Sequence, residues 1–307
     1  MVVALAVVIA GGVVYLQRSG GEAGNERPQA DGTTPTATPS ASASPSPTAG
    51  RDAARAAYLE SLRQQALQPV VNVTREVYEG EESYPDGDHK AVISGIDYKT
   101  GAVRMEKTDV TVKAGKSEVS DSMWCRGRSE QWFLSTVRWS QVDVTCPSGL
   151  YQMYLNDGLV TGGLTKEEAD VFVGKLNGWE GLVRGRGMSV VTRNGKQYVR
   201  LEIKVVPLRF DGLVAGAGMF MDALKWAEVD LTTHPYGLLL YDDSSLDIVR
   251  YVDPKTRLPA YMEMLETGED TWIMHRVEYD FTHPVVETTK LPKTINIPRM
   301  TWPREGE

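Results

Sequence analysis

Residues that commonly carry out catalysis or bind metals are scarce in this chain. It contains two cysteines and four histidines among 307 residues. The histidines lack metal-ligand spacing and a nucleophile partner, and no serine stands in a G-x-S-x-G or S-x-x-K motif before a helix. His275 alternates with Ile273 and Val277, which favours a strand-face histidine satisfied by one hydrogen bond. We therefore predict no enzyme activity, no cofactor and no metal site.

An excess of basic residues is also absent. The chain has 33 Lys and Arg residues against 41 Asp and Glu residues, which gives a formal net charge of −8. Nucleic-acid binding requires a footprint of Lys and Arg side chains that neutralises phosphates. This charge balance argues against nucleic acid as a partner.

The first residues lack charge, and those that follow lack large apolar side chains. Residues 2–16 read VVALAVVIAGGVVYL, which is shorter than the roughly 20 residues of a comfortable membrane span. No basic region precedes this stretch and no clear A-x-A site follows it, so an uncleaved anchor is favoured over a cleaved signal. Gly, Ser, Thr, Pro and Ala dominate residues 19–50, a composition that cannot form a core. We expect a transmembrane anchor over 1–18, a disordered linker over 19–50 and an extracytoplasmic domain over 51–307.

The two cysteines, Cys125 and Cys146, fall in segments with the alternation of β-strands. Val142 and Val144 share the parity of Cys146, and Met123 shares that of Cys125. If these segments are neighbouring antiparallel strands, a disulfide between them is expected, because exported proteins fold under oxidising conditions. Two separate free thiols are the alternative.

The first half of the domain is predicted to be an antiparallel meander. An amphipathic helix is expected over 51–68, ending before Pro69. Strand-like stretches follow at 70–78, 89–98, 102–114, 119–126, 131–137 and 139–145, separated by turn residues such as Pro85-Asp86-Gly87.

The second half mixes helices and strands. Thr165 and Glu168 form a capping box that opens a helix, and Asn194-Gly195 predicts a hairpin turn before a strand over 197–205. The residues of that strand expected to face inward are Val199, Leu201, Ile203 and Val205. A Gly-rich helix is expected over 213–227, and further strands at 238–241, 247–252, 260–265 and 271–281. The predicted fold class is α+β, a large antiparallel sheet with a few helices against it.

A turn near the C-terminal end carries a family resemblance. Residues 252–259 read VDPKTRLP, and Tyr279-Asp280-Phe281 follow before Ile297-Pro298. Together with the helix-then-strand order over 165–205, this resembles the LolA-like lipoprotein carriers, which include the actinobacterial lipid-binding lipoproteins, over about half of the chain. The resemblance implies a strongly curved, half-open antiparallel barrel closed by helices, with an apolar cavity for acyl chains. This chain departs from those lipoproteins because it lacks their lipidated cysteine and has an apolar N-terminal stretch instead.

Two groups of apolar residues are candidates for lining such a cavity. The first group lies on the Gly-rich helix and consists of Leu213, Met219, Phe220, Met221, Leu224 and Trp226. The second lies on the late hairpin and consists of Met262, Met264, Trp272 and Met274. Methionine suits adaptable apolar surfaces, although residues at these spacings also form ordinary cores.

Two functions are consistent with these features. The first is a membrane-anchored binding protein or carrier for a lipid or another apolar small molecule. The second is an envelope sensor or interaction domain that binds a protein partner, which a permanent anchor would suit.

Overall fold

The computed structural model describes residues 47–126, 130–135, 138–142, 162–210, 213–216, 218–231, 234 and 244–285. The predicted anchor and almost all of the predicted linker lie outside these residues. Among the described residues, no helix is long and apolar enough to span a membrane.

Three α-helices are described: α1 over Pro47–Ala66, α2 over Lys166–Gly178 and α3 over Gly218–Trp226. Helix α1 begins four residues before the predicted domain boundary, so residues 47–50 belong to the helix and not to the linker. Proline is tolerated at the first position of a helix because its missing N–H has no intrahelical acceptor there. The predicted capping box at the start of α2 is confirmed, since Thr165 accepts from the Glu168 amide and the Glu168 carboxylate accepts from the Thr165 amide.

The strands form a large antiparallel sheet. They are β1 Val70–Glu79, β2 His89–Asp97, β3 Ala102–Thr111, β4 Lys116–Arg126, β5 Glu130–Ser135, β6 Arg138–Val142, β7 Val183–Arg193, β8 Lys196–Val205, β9 Leu208–Phe210, β10 Leu213–Ala215, β11 Ser245–Val252, β12 Pro259–Thr267 and β13 Trp272–Asp280. Eleven of them pair in the order β6-β5-β4-β3-β2-β1-β13-β12-β11-β8-β7, and β9 pairs with β10. Because β6 and β7 end the order unpaired with one another, the sheet of described strands is open. The predicted α+β architecture, an antiparallel sheet with a few helices, is confirmed.

The predicted helix over 213–227 was wrong in its first turn. Residues 213–215 form β10, which pairs with β9, and the helix begins only at Gly218. Glycine disfavours a continuous helix, so Gly216 and Gly218 allow the chain to change from strand to helix here. Strand β7 was not predicted, and the strand expected at 238–241 lies outside the described residues.

The arrangement of β4, β5 and β6 bears on the predicted disulfide. Cys125 lies in β4 opposite Gln131 of β5, which in turn lies opposite Val142 of β6. The segments that were expected to be neighbouring strands are therefore not adjacent over their described residues, because β5 lies between β4 and β6. Strands two positions apart are separated by about 9–10 Å, which exceeds the usual Cα separation of a disulfide. Cys146 lies outside the described residues, so the disulfide itself stays a prediction.

One face of the sheet carries the core and is called the covered face. Leu201, Ile203 and Val205 of β8 are buried on it, as predicted, and Val199 is partly buried. Helix α1 packs against β7 and β8, and helix α2 packs against both other helices. The helices thus enclose the covered face around β7 and β8.

Two hairpin turns share one design. In the turn between β11 and β12, the Asp253 Oδ1 atom accepts hydrogen bonds from the backbone amides of residues 255 and 256, at 2.9 and 3.1 Å. In the turn between β2 and β3, Asp97 accepts from the amides two and three residues later at the same distances. The predicted corner at residues 252–259 is confirmed as an aspartate-closed turn between two strands.

Candidate functional site

Five of the ten predicted pocket residues come together in the interior. Met219, Phe220 and Leu224 of α3 are buried, and so are Met262 and Met264 of β12. All five belong to one continuous apolar cluster, which also includes residues of α1 and α2. These five residues, drawn from both sequence groups, therefore lie in a common interior, where they are packed as core.

The other predicted pocket residues whose side chains the structure describes are not part of this buried cluster. Trp226 is 62% exposed at the end of α3, where the Lys175 ammonium lies 4.0 Å from the centre of its ring. Met274 lies in register with Leu265, whereas Met264 lies opposite His275. Since side chains alternate along a strand, Met274 and Trp272 lie on the face opposite Met264. Met221 is partly buried, and the side chain of Leu213 is outside the described set.

Arg250 is the most unusual residue of the interior. It lies on β11 between Leu201 of β8 and Met262 of β12, and it is fully buried. Its Nη2 atom donates to the Gln65 side-chain oxygen of α1. Its guanidinium lies 5.5 Å from the Tyr58 ring centre and 5.6 Å from that of Tyr279.

The hydrogen-bonding capacity of Arg250 is only partly used. Its Nε and Nη1 atoms have no hydrogen-bond acceptor among the residues that the structure describes. In the part of the chain that the structure describes, no carboxylate forms an ion pair with it. Burial of a charge without a counter-charge costs several kcal/mol. Stacking on two tyrosine rings, at up to about 2 kcal/mol each, offsets a part of that cost.

Three further ionisable residues are buried on the covered face. Arg75 lies opposite Val277, His275 lies opposite Met264, and Glu266 lies opposite Leu246. Desolvation, with a contribution from the charge of Arg75, lowers the pKa of His275 to about 3. The imidazole is therefore neutral at physiological pH.

His275 was predicted to lie on a strand face and to form one hydrogen bond, and only the first part is confirmed. The residue is buried on a strand face, as expected, but neither ring nitrogen has a hydrogen-bond partner in the described part of the chain. The reason is its surroundings, since its cross-strand neighbours Met264 and Val77 are apolar.

Arg250 and Arg75 were missed at the sequence level, although a signal exists. In β11, Leu246, Ile248, Arg250 and Val252 share one parity, and all four are buried. A charged residue at a position where the strand alternation requires an apolar one marks a buried charge. Arg75, between Val73 and Val77 of β1, follows the same pattern.

The chemistry available to this interior is binding. Apolar walls surround a cation whose one Nε–H and two Nη1–H groups find no acceptor among the described residues, an arrangement suited to an acidic group on an otherwise apolar molecule. Among the residues that the structure describes, no three His, Cys, Asp or Glu side chains are grouped as metal ligands.

Comparison with known proteins concerns the fold. A scan against protein-family models and a search of curated proteins give no match. The structure is similar to the lipoprotein LppX of Mycobacterium tuberculosis, with 10% identity and a TM-score of 0.40 over 76% of this chain and 98% of that one. It is also similar to LprF of Mycobacterium bovis, with 9% identity and a TM-score of 0.41 over 77% and 96% of the two chains.

A third similar structure is a putative outer membrane lipoprotein-sorting protein domain from Vibrio parahaemolyticus. It has 8% identity and a TM-score of 0.23, over 79% of this chain and 96% of that domain.

Proposed function

We propose that this protein binds a lipid-like ligand, an apolar chain with one anionic group, between the sheet and its helices. The observation that carries the proposal is the fully buried Arg250 guanidinium, whose Nε and Nη1 atoms have no acceptor within the described ranges of the chain. A carboxylate or phosphate group accepts two parallel N–H bonds from one arginine. Such a ligand supplies both the missing acceptors and the missing counter-charge.

The apolar part of the ligand is proposed to lie beneath α3. This helix has only nine residues, begins at Gly218 and follows Gly216 closely. Its buried face, with Met219 and Phe220, belongs to the same cluster as Met262 and Met264 of β12. Methionine side chains adapt their shape at low cost. Displacement of this short helix opens the interior to a chain without breaking the main sheet.

The proposed location is the outer side of a cell membrane. In this proposal residues 1–18 form the anchor and residues 19–46 form the spacer. The predicted spacer ran to residue 50, but residues 47–50 belong to α1. A binding domain held in this way receives its ligand from the adjacent bilayer or from a carrier.

The test is identification of a ligand that copurifies with the full chain. The protein is extracted from its source membrane with a non-ionic detergent, and native mass spectrometry is combined with organic extraction. We expect a stoichiometric anionic amphiphile. Absence of any ligand, together with no binding of offered fatty acids or anionic phospholipids, would contradict the proposal.

A pair of variants tests the role of Arg250. Arg250→Met removes the buried charge with little change in volume, and it should abolish copurification while the fold is retained. Arg276→Met is the matched control, because Arg276 is on β13, is partly exposed and pairs with Glu76 at 3.3 Å. Equal ligand content in the two variants would contradict the assigned role.

A second candidate function is that of an interaction domain for an envelope protein, and strand β7 favours it. This strand ends the order of the sheet, and its Met188 and Val190 side chains are 48% and 69% exposed. An edge strand with exposed apolar residues can accept an added strand from a partner. Photo-crosslinking from position 190, with position 256 in an exposed turn as control, tests this alternative. A specific product from 190 alone favours it, and equal products from both positions contradict it.

A further inference from the structure

A cleft of about 860 Å³ lies outside the proposed ligand site. It is formed by the first turns of α1, the end of α2, the segment leading into β7 and Lys204 of β8. Five cationic side chains line it: Arg51, Arg55, Arg184, Arg186 and Lys204. The chain as a whole carries a charge of −8, so this concentration of positive charge is local.

The cleft is a built feature of the fold. A Cβ atom on Gly185 would lie 1.9 Å from the Arg51 carbonyl oxygen, so only glycine lets α1 lie against β7 in this way. Arg55 of α1 also contacts two other elements. Its Nε donates to the Val183 carbonyl of β7 at 2.9 Å, and its Nη2 donates to the Asn177 carbonyl of α2 at 2.8 Å. These contacts hold the walls of the cleft in place.

Not all of the charge in the cleft is neutralised internally. Asp247 pairs with Arg186 at 2.9 Å and with Lys204 at 3.4 Å. Asp52 and Glu180 are the acidic residues of the lining.

Two guanidinium groups retain hydrogen-bonding capacity in the cleft. Among the described residues, the Arg184 guanidinium forms one hydrogen bond, in which its Nε donates to the Gly181 carbonyl at 2.9 Å. Arg51 forms no ion pair or side-chain hydrogen bond with any residue that the structure describes. Both side chains are exposed to solvent and can reach an incoming anion.

We propose that this cleft binds a phosphate group, with Arg51 and Arg184 as its principal ligands. Guanidinium groups match phosphate oxygens with paired N–H bonds, and the five cationic side chains of the lining attract the negative charge of a phosphate. The phosphate can come from a phospholipid headgroup or from a free phosphate ion. This site is independent of the interior at Arg250, because it needs no apolar chain.

The test measures binding of soluble anions to the full chain in non-ionic detergent by isothermal titration calorimetry at low salt. The probes are glycerophosphoglycerol, glycerophosphocholine and inorganic phosphate, none of which has an acyl chain. We expect binding of a phosphate-bearing probe that weakens with added salt. Preference for glycerophosphoglycerol assigns the site to an anionic headgroup, and preference for inorganic phosphate assigns it to the free ion.

Two double variants with equal charge loss make the test specific. Arg51→Gln with Arg184→Gln should weaken binding by roughly 10- to 100-fold, as expected for the loss of hydrogen bonds to a charged group. Lys255→Gln with Arg257→Gln, in the exposed turn between β11 and β12, should leave it unchanged.

The outcomes separate this site from the interior. Arg250→Met should retain headgroup binding even where it loses the copurifying ligand. Failure of every probe to bind the wild-type chain would overturn the phosphate site, and so would equal weakening by the two double variants.

Discussion

Replacement of Gly185 by alanine should detach the start of α1 from the sheet. The added Cβ would lie 1.9 Å from the Arg51 oxygen and 2.9 Å from the Arg55 nitrogen, and both are backbone atoms. Ordinary contact begins near 3.4 Å, so helix and strand must separate by about 1.5 Å. Overpacking costs about 1–3 kcal/mol, and weakening of the Arg55 hydrogen bonds adds about 1 kcal/mol. We expect a loss of about 3 kcal/mol in the free energy of unfolding.

Gly187, two residues along the same strand, provides the control. A Cβ there would approach only the end of the Glu202 side chain, at 3.3 Å, and that side chain can move. Thermal unfolding followed by circular dichroism should show Gly187→Ala close to wild type. Gly185→Ala should melt about 6–12 °C lower, because 1 kcal/mol corresponds to about 2–4 °C for a domain of this size. Hydrogen exchange should become faster in α1. Equal melting temperatures for the two variants would refute this account of the contact between α1 and β7.

Three further predictions concern stability and covalent structure. Because the folded-state pKa of His275, about 3, is below its ordinary value of 6.5, the unfolded state binds more protons between these values. The contribution of neutral His275 to the free energy of unfolding is therefore present above pH 6.5 and decreases as the pH is lowered below it. Urea unfolding should show a decrease of about 2 kcal/mol in this free energy from pH 7 to pH 5. The His275→Gln variant should lack this decrease. Asp253→Ala and Asp97→Ala should each cost about 1–2 kcal/mol in the same assay, since each leaves two turn amides without their acceptor; values near zero would show that water replaces the carboxylate. Thiol titration of the denatured chain should detect Cys125 and Cys146 only after reduction, and two reactive thiols without reductant would exclude the disulfide.

The elements that could be predicted from the sequence depend on local interactions. The alternation over 197–205 and the capping box at Thr165 were both confirmed, because each depends on residues only a few positions apart. The turn at residues 252–259 was also recognisable, since its aspartate binds amides two and three residues later. The β10 segment was misassigned because pairing with β9 outweighed the helical spacing of its apolar residues.

The candidate site was predictable only in part. Methionines on α3 and β12 were expected together and are together, because both show apolar periodicity. Met274 and Trp272 lie on the same strand as core residues but on its other face. Which residues of this strand face the core is set by its register with β12. Trp226 was expected inside, yet it lies at the end of α3 beside Lys175.

The sequence by itself determined local features of this protein: the inward and outward faces of β8, the start of α2 and the aspartate turn at residues 252–259. These depend on hydrogen bonds and side-chain alternation within a few residues. Only the tertiary structure decided that β1 pairs with β13, that Arg250 is enclosed against Gln65 with no counter-charge among the described residues, and that Gly185 lies against Arg51 and Arg55 of α1. Each of these contacts joins residues more than a hundred positions apart, and their free energies depend on burial and close packing in three dimensions.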